Sequence, residues 1–321
     1  MRPAVLIRVA RDFTDDGEIA RIASAAFPDW PRNGAAVAAA RERRGDRFHH
    51  AMVVEGKAGL AAYGFIEVPD VAAAPGRIRV GLVTDPARLG QGIGAILYDA
   101  LEAEARRRGA TELVCEAHDS HPRALPFAEK RGYAVYNARI QSRLHLAGID
   151  TGCIGRSIDA HTDRLFACGV RIASYRQMVM AAADAPRHLY ELFSALWQDV
   201  PFGISGAGTT FEAFVAEELD DPAFQAAGCF IALDGADWIG MCLQSAAPDH
   251  LFNSMTGVVP RWRRHGLARW LKLHAIRYAL EIGAVEVRTA NDAANVGMLA
   301  LNRELGYVPV DTDRRLRKAL A

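Results

Sequence analysis

One repeat constrains this chain more than any other feature. Val258-Val259-Pro260-Arg261-Trp262-Arg263-Arg264-His265-Gly266-Leu267-Ala268-Arg269 has a counterpart in Thr84-Asp85-Pro86-Ala87-Arg88-Leu89-Gly90-Gln91-Gly92-Ile93-Gly94-Ala95. Gly92 and Gly266 stand 174 residues apart (266 minus 92). The same offset pairs Pro86 with Pro260, Leu97 with Leu271, Ala105 with Ala279, Gly109 with Gly283, Glu112 with Glu286, Gly132 with Gly306 and Tyr133 with Tyr307. No gap is needed, so a shared register spans a domain's length and points to duplication. A period this long means two domains rather than a solenoid. The 321 residues, half of them hydrophobic, are enough for two cores.

Both copies have one layout. A short apolar strand ends at a proline, a turn rich in glycine or basic residues follows, and a long helix begins. The first amides of a helix have no backbone partner and carry the positive end of its dipole. Small residues let a phosphate come close, so the turn suits an anion. Arg261, Arg263, Arg264, His265, Arg269 and Lys272 cluster at the second helix start, where they oppose the dipole unless an anion offsets them. Gly90, Gly92 and Gly94 do not fit the dinucleotide pattern G-x-G-x-x-G, and no Gly-Lys-Ser/Thr of a Walker A loop occurs.

The flanking segments follow. Ile19, Ile22 and Ala23 lie at helical spacing after Thr14-Asp15-Asp16, and residues 35–43 form a second helix ending near Gly45. Residues 51–68 read as strand, turn and strand, 78–83 as the strand entering the first special turn, and 121–130 as a short helix. The second cycle opens at Val170, with helices at 186–197 and 210–219, a hairpin through Asp234-Gly235, and a strand at 252–259. Residues 148–169, with Gly148, Gly152 and Gly155, read as a connecting segment with room for one helix. The expected fold class is α/β (α+β): two tandem domains, 1–147 and 170–321, each a mixed, mostly antiparallel central sheet flanked by helices.

Composition narrows the partners. Lys+Arg and Asp+Glu are both 38, which argues against nucleic acid. No apolar run approaches the roughly 20 residues that span a bilayer. The five cysteines are scattered, and the N-terminal apolar run is too short for a signal peptide, so a cytoplasmic location with reduced thiols and no membrane partner is expected. His49, His50, His118 and His121 lack metal-ligand spacing, and no metal is expected.

Arg263-Arg264-His265-Gly266-Leu267-Ala268 matches the signature Q/R-x-x-G-x-G/A, and Thr289-Ala290-Asn291, Asn295, Met298, Asn302 and Leu305-Gly306-Tyr307 follow it. With these motifs the chain resembles the GCN5-related N-acetyltransferase (GNAT) family, and the tandem arrangement resembles that of the mycothiol synthase type. The resemblance implies acetyl-CoA as co-substrate, its pyrophosphate held by loop amides. It places cofactor contacts at Val258, Val259, Arg263, Arg264, His265, Gly266, Leu267, Ala268, Arg269, Asn291 and Asn295. In the diverged first half they fall at Val83, Thr84, Gly90, Gln91, Gly92, Ile93, Gly94 and Ala95, but Leu89 stands where Arg or Gln is expected. There Ala117 and His121 replace Asn291 and Asn295.

The family's acid tyrosine is missing from both halves: Ala128 and Asn302 occupy its position. Asn302 can still donate a hydrogen bond to the CoA sulfur. Asp249 or His250 is the candidate outlet for the amine proton, and amides near Val258 and Val259 would polarise the thioester carbonyl. The expected reaction is direct acetyl transfer to a small-molecule amine in the second half. The alternatives are a non-catalytic acyl-CoA-binding or sensing protein, and a protein amine as acceptor. The assembly is expected to be a monomeric pseudo-dimer or a homodimer.

Overall fold

The two copies of the special turn sit in two copies of one strand-and-helix order. The computed structural model describes residues 6–28, 32–57, 59–69, 74–201, 209–247 and 249–320. These divide into two compact units: one holds residues 6–136 with 314–320, the other the rest of 137–313.

The first unit runs β1 (Leu6–Val9), α1 (Asp16–Ala26), α2 (Gly34–Arg44), β2 (His49–Gly56), β3 (Gly59–Glu67), β4 (Arg77–Thr84), α3 (Ile93–Arg107), β5 (Glu112–His118) and α4 (Ala124–Glu129). Its strands lie in the order β1-β2-β3-β4-β5, all antiparallel except β4 with β5. Adjacent strand residues face opposite sides, and the helices use that alternation. Val53 packs with Ile19 and Ile22 of α1, while its neighbour Val54 packs with Leu97 and Leu101 of α3. Asn33 caps α2 by accepting from Ala36 N at 2.8 Å.

The second unit receives β6 (Ala134–His145) from residue 137 onward. It continues with α5 (Thr151–Phe166), β7 (Val170–Ser174), α6 (Tyr175–Ala181), α7 (Ala185–Trp197), α8 (Phe211–Phe214), β8 (Phe230–Asp234), β9 (Asp237–Ala246), β10 (Leu251–Val258), α9 (Leu267–Glu281), β11 (Glu286–Asp292), α10 (Val296–Glu304) and the part of β12 (Val308–Ala319) before residue 314. Its order is β6-β11-β10-β9-β8-β7, and only β10 with β11 is parallel. Met241 and Leu243 of β9 pack on Leu189, Leu192 and Phe193 of α7. Cys242, between them, packs on Leu267, Trp270 and Leu271 of α9.

The unit boundaries depart from those expected. Residues 137–147, assigned above to the first domain, belong to the second unit, and 314–320 belong to the first. Leu316 is fully buried in the first unit's core, and Lys318 Nζ donates to Glu102 Oε2 at 2.6 Å. The segment 148–169 is mostly the 16-residue helix α5, not a connector. Asp150 caps it by accepting from Gly152 N at 2.9 Å, and Leu165 packs into the α9 core. The one helix allowed for there is thus present, although Gly152 and Gly155 each cost it roughly 1 kcal/mol. Among the described residues no helix is long and apolar enough to cross a membrane.

Leu316→Ala is expected to destabilise the first unit by about 2–5 kcal/mol, the usual range for a buried leucine. Under mild urea, amide hydrogen exchange in α3 of the first unit should speed up, while that of α9 in the second unit reports no comparable change.

Candidate active site

A parallel ladder that stops early shapes each unit. β10 pairs with β11 only at Leu251–Val287, Phe252–Arg288 and Asn253–Thr289, although both strands continue, to Val258 and Asp292. β4 and β5 likewise pair only at Arg77–Glu112, Ile78–Leu113 and Arg79–Val114. Past those rungs the strands part, and their facing backbone groups need another partner. The gap opens at the carboxyl ends of the parallel strands, where α/β folds bind ligands.

The two gaps differ in one respect. β10 carries a bulge against β9: the register shifts between Asn253 and Met255. β4 pairs with β3 without a shift. A bulge re-aims the backbone beyond it. Val259 N donates to Ile239 O at 2.9 Å, so this amide faces β9 and is not available to an acyl group. Amides alternate along a strand, so the N–H and C=O of Val258 face the gap. The Val258 carbonyl accepts from Arg263 Nε at 3.0 Å, which leaves its N–H as the donor there.

Beyond Val258 the loop makes one 3-10 turn, Pro260–Trp262, and enters α9. Two residues are left-handed: Arg264 at φ +66 and Gly266 at φ +84. Their counterparts Gly90 and Gly92 are both at φ +79. A glycine accepts this conformation readily, whereas an arginine there is strained. The first hydrogen bond into α9 is Trp270 N to Gly266 O at 3.0 Å, and in α3 it is Ala95 N to Gly92 O at 3.1 Å. Ahead of them lie the amides of Leu267 and Ala268, and of Ile93 and Gly94, at the positive ends of the helices.

The predicted loop residues divide by role. Leu267, Ile93 and Val258 turn their side chains into the core, so only their backbones can meet a ligand. Arg263 is tied to Asp199 as well as to Val258, and Arg269 Nη1 donates to Glu304 at 2.8 Å. Arg264 and His265 are exposed, as are Gly90, Gln91 and Gly92. Val83, Thr84, Gly94, Ala95 and Ala268 are half-buried along the same turns, and a Cβ on Gly94 would sit 3.1 Å from Thr84 Oγ1. Arg164 of α5 was not foreseen. Its Nη2 donates to His265 O at 2.9 Å and would lie 2.5 Å from a Cβ on Gly266.

At the end of β11, buried Asn302 of α10 donates from Nδ2 to Asn291 Oδ1 at 2.6 Å. Asn302 Oδ1 is buried without a partner among the described residues. Asn295 is exposed and caps α10 by accepting from Met298 N at 3.2 Å, so its acceptor oxygen is committed to the helix. Asp249 and His250 are not brought to the loop. They precede Leu251 at the paired end of β10, roughly 23 Å from Val258 at about 3.3 Å per residue. His250 Nδ1 lies 2.6 Å from Asp249 Oδ1, a contact that holds the Asp249 carboxyl below its usual range.

Lys272 corrects the sequence reading most sharply. Grouped above with the basic face, it is instead 1% exposed, inside the second unit. Its Nζ donates to Asn253 Oδ1 at 2.5 Å and lies 5.0 Å from the centre of the Tyr307 ring. Burial pushes its pKa down to about 8. The folded chain therefore loses this proton near pH 8, and the unfolded chain near its ordinary 10.5. Between those values the unfolded state binds more protons, so this group makes stability rise with pH. Buried Cys242 and Tyr307, the titratable neighbours, both have their pKa values raised by desolvation. The stability of the native protein minus that of Lys272→Met is expected to grow by about 1 kcal/mol between pH 7 and pH 9, read from urea midpoints.

The comparisons with known proteins agree with this geometry. The acetyltransferase (GNAT) family model matches residues 17–133 and again 188–307. A mycothiol acetyltransferase of Pseudarthrobacter chlorophenolicus is 25% identical over 239 residues, covering 72% of this chain and 67% of the relative. Among solved structures, a GCN5-related N-acetyltransferase from Sphaerobacter thermophilus shares the fold with a TM-score of 0.71 at 20% identity, over 99% of this chain and 97% of that one. A tandem GNAT protein from the clavulanic acid biosynthesis pathway also gives 0.71, at 19% identity and 98% of both chains. Members of this family take the acetyl group from acetyl-CoA. Matched in both halves and folded in two like units, the chain belongs to the acetyltransferase (GNAT) family as a tandem N-acetyltransferase.

Proposed function

We propose that the second unit carries the reaction, the acetylation of a small-molecule amine by direct transfer from acetyl-CoA. The observation that carries this reading is the bulge in β10, which has no counterpart in β4. The relative named for mycothiol, a small molecule, supports the acceptor class.

In this reading the amides of Arg264 to Ala268 hold the pyrophosphate, with the α9 dipole behind them. Arg264, strained and exposed, presents a cation to the same anion, and Arg164 braces the loop at His265. The thioester carbonyl points at the N–H of Val258, which stabilises the oxyanion as the amine lone pair attacks. The amine nitrogen forms its bond to the acetyl carbon, the carbon–sulfur bond breaks, and the thiolate leaves. Asn302 hydrogen-bonds that sulfur through its second amide hydrogen but has no proton to give, so water supplies one. Water also removes the amine proton, since Asp249 and His250 lie at the other end of β10. Much of the rate gain then comes from holding amine and thioester in line.

The test is acetyl-CoA calorimetry and thiol release over a panel of glucosamine, ethanolamine and a lysine peptide. Gly266→Asp puts a side chain at φ +84 and against Arg164, and should cut turnover by about 100-fold or more. Gly92→Asp should cost much less. The reverse ranking would move the reaction to the first unit. Turnover of the lysine peptide alone would assign a protein amine instead.

A further inference from the structure

The bulge in β10 is held by a side-chain network that converges on one residue. Asn253, 3% exposed, is the last residue of β10 to pair with β11 and the last before the register shift. Its Nδ2 donates to Leu243 O at 2.8 Å and Met255 O at 3.3 Å, which lie opposite and just beyond the extra residue. Its backbone oxygen accepts from Thr289 Oγ1 of β11 at 3.0 Å. Its Oδ1 accepts from Thr256 Oγ1 at 3.0 Å and from Lys272 Nζ at 2.5 Å. The point where the strands part and the point where β10 bulges are therefore one residue, fixed from α9 by an ammonium.

That ammonium is costly. Among the described residues no carboxylate pairs with Lys272, and the Tyr307 ring only partly offsets the loss of water. A methionine of similar volume would suit the site better by stability alone. In the first unit the matching positions are Tyr98, Arg79 and Tyr133. There Tyr98 OH donates to Tyr133 OH at 3.2 Å, the half-buried ammonium of Lys318 lies 5.8 Å from the Tyr133 ring but is ion-paired with Glu102, and the strand has no bulge. Among the described residues, a fully buried lysine without a carboxylate partner and the bulge occur together in the second unit, while in the first the lysine beside the matching tyrosines is ion-paired and the bulge is missing.

We propose that Lys272 is a positioning residue for acyl transfer: through Asn253 it sets the bulge that aims the Val258 amide into the gap between β10 and β11. The proposal rests on the reading that the second unit carries the reaction. Lys272 touches neither acetyl-CoA nor the amine. It fixes the register of the strand that does, while the loop from Arg263 to Arg269 keeps its own anchors.

The experiment compares Lys272→Met, Asn253→Asp and Tyr98→Phe with the native chain. It uses thiol release from acetyl-CoA with the fastest amine of the panel above. Lys272→Met should lower kcat on the order of 100-fold, the usual cost of misplacing a reacting group by an ångström. KM for acetyl-CoA should stay within about threefold because the loop amides are untouched. The thermal midpoint should hold or rise, since a lone buried charge is gone. Asn253→Asp keeps acceptors for Lys272 but has no donor for the carbonyls of Leu243 and Met255, and should show the same split. Both variants should speed amide hydrogen exchange over residues 254–258. Tyr98→Phe, at the matching position of the first unit, should leave kcat unchanged. If Lys272→Met keeps kcat within twofold while Gly266→Asp is inactive, the proposal is overturned. A fall in kcat matched by an equal rise in KM and a lower midpoint overturns it too, by showing a structural role only. If Gly92→Asp abolishes turnover and Gly266→Asp does not, the reading beneath it fails, whatever Lys272 does.

Discussion

The site depends on a parallel ladder that ends after three rungs in each unit. Backbone donors and acceptors must be paired or wetted, and each unmet group in an apolar setting costs on the order of 1–3 kcal/mol. A strand pair that separates while both strands continue therefore keeps a row of polar groups open at the mouth of a helix dipole. The neighbouring contacts decide which of them remain open. β9 takes the Val259 amide, Arg263 takes the Val258 carbonyl, and the Val258 amide is left. The side chains around this gap mostly select among backbone groups rather than act themselves. A family signature built on glycine and arginine records that selection.

Much of this was legible in the sequence, for physical reasons. The offset of 174 preserved the left-handed positions, and Gly92 and Gly266 do share that conformation. The apolar spacing of Ile19, Ile22 and Ala23 in α1 reaches the core as read. Errors arose where one residue type serves opposite environments. Lys272 follows Trp270 and Leu271 in an inward-facing stretch, yet a lysine near a helix start reads as surface. Asn295 sits in a binding-loop pattern, but the same residue is a favoured helix cap. Asp249 and His250 flank the right strand at the wrong end, and a sequence alone does not tell which end of a parallel pair separates. Register carries the remaining information. No residue type announces the bulge at Asn253, which exists only as a mismatch between two strands.

The two copies differ in how they treat strain and charge. In the first unit both left-handed positions are glycines, and the ammonium beside Tyr98 and Tyr133, that of Lys318, is paired with Glu102. The second unit has two locally unfavourable choices, a left-handed arginine and a buried lysine with no carboxylate partner among the described residues. Both fit the proposal that the second unit carries the reaction, since strained and desolvated groups collect at functional sites.

The exchange of terminal strands has a consequence for how the chain comes into being. Residues 314–320 complete the first unit's core at Leu316, yet the whole second unit lies between them and the rest of that core. Domains usually mature in the order in which the ribosome releases them. Here the first half emerges early but waits, with an apolar face uncovered, until the last strand has been made. A nascent chain of this design is exposed to misassembly and chaperone capture for longer than two independent domains would be. A fragment ending between the halves would lack Leu316, a fully buried member of the first unit's core.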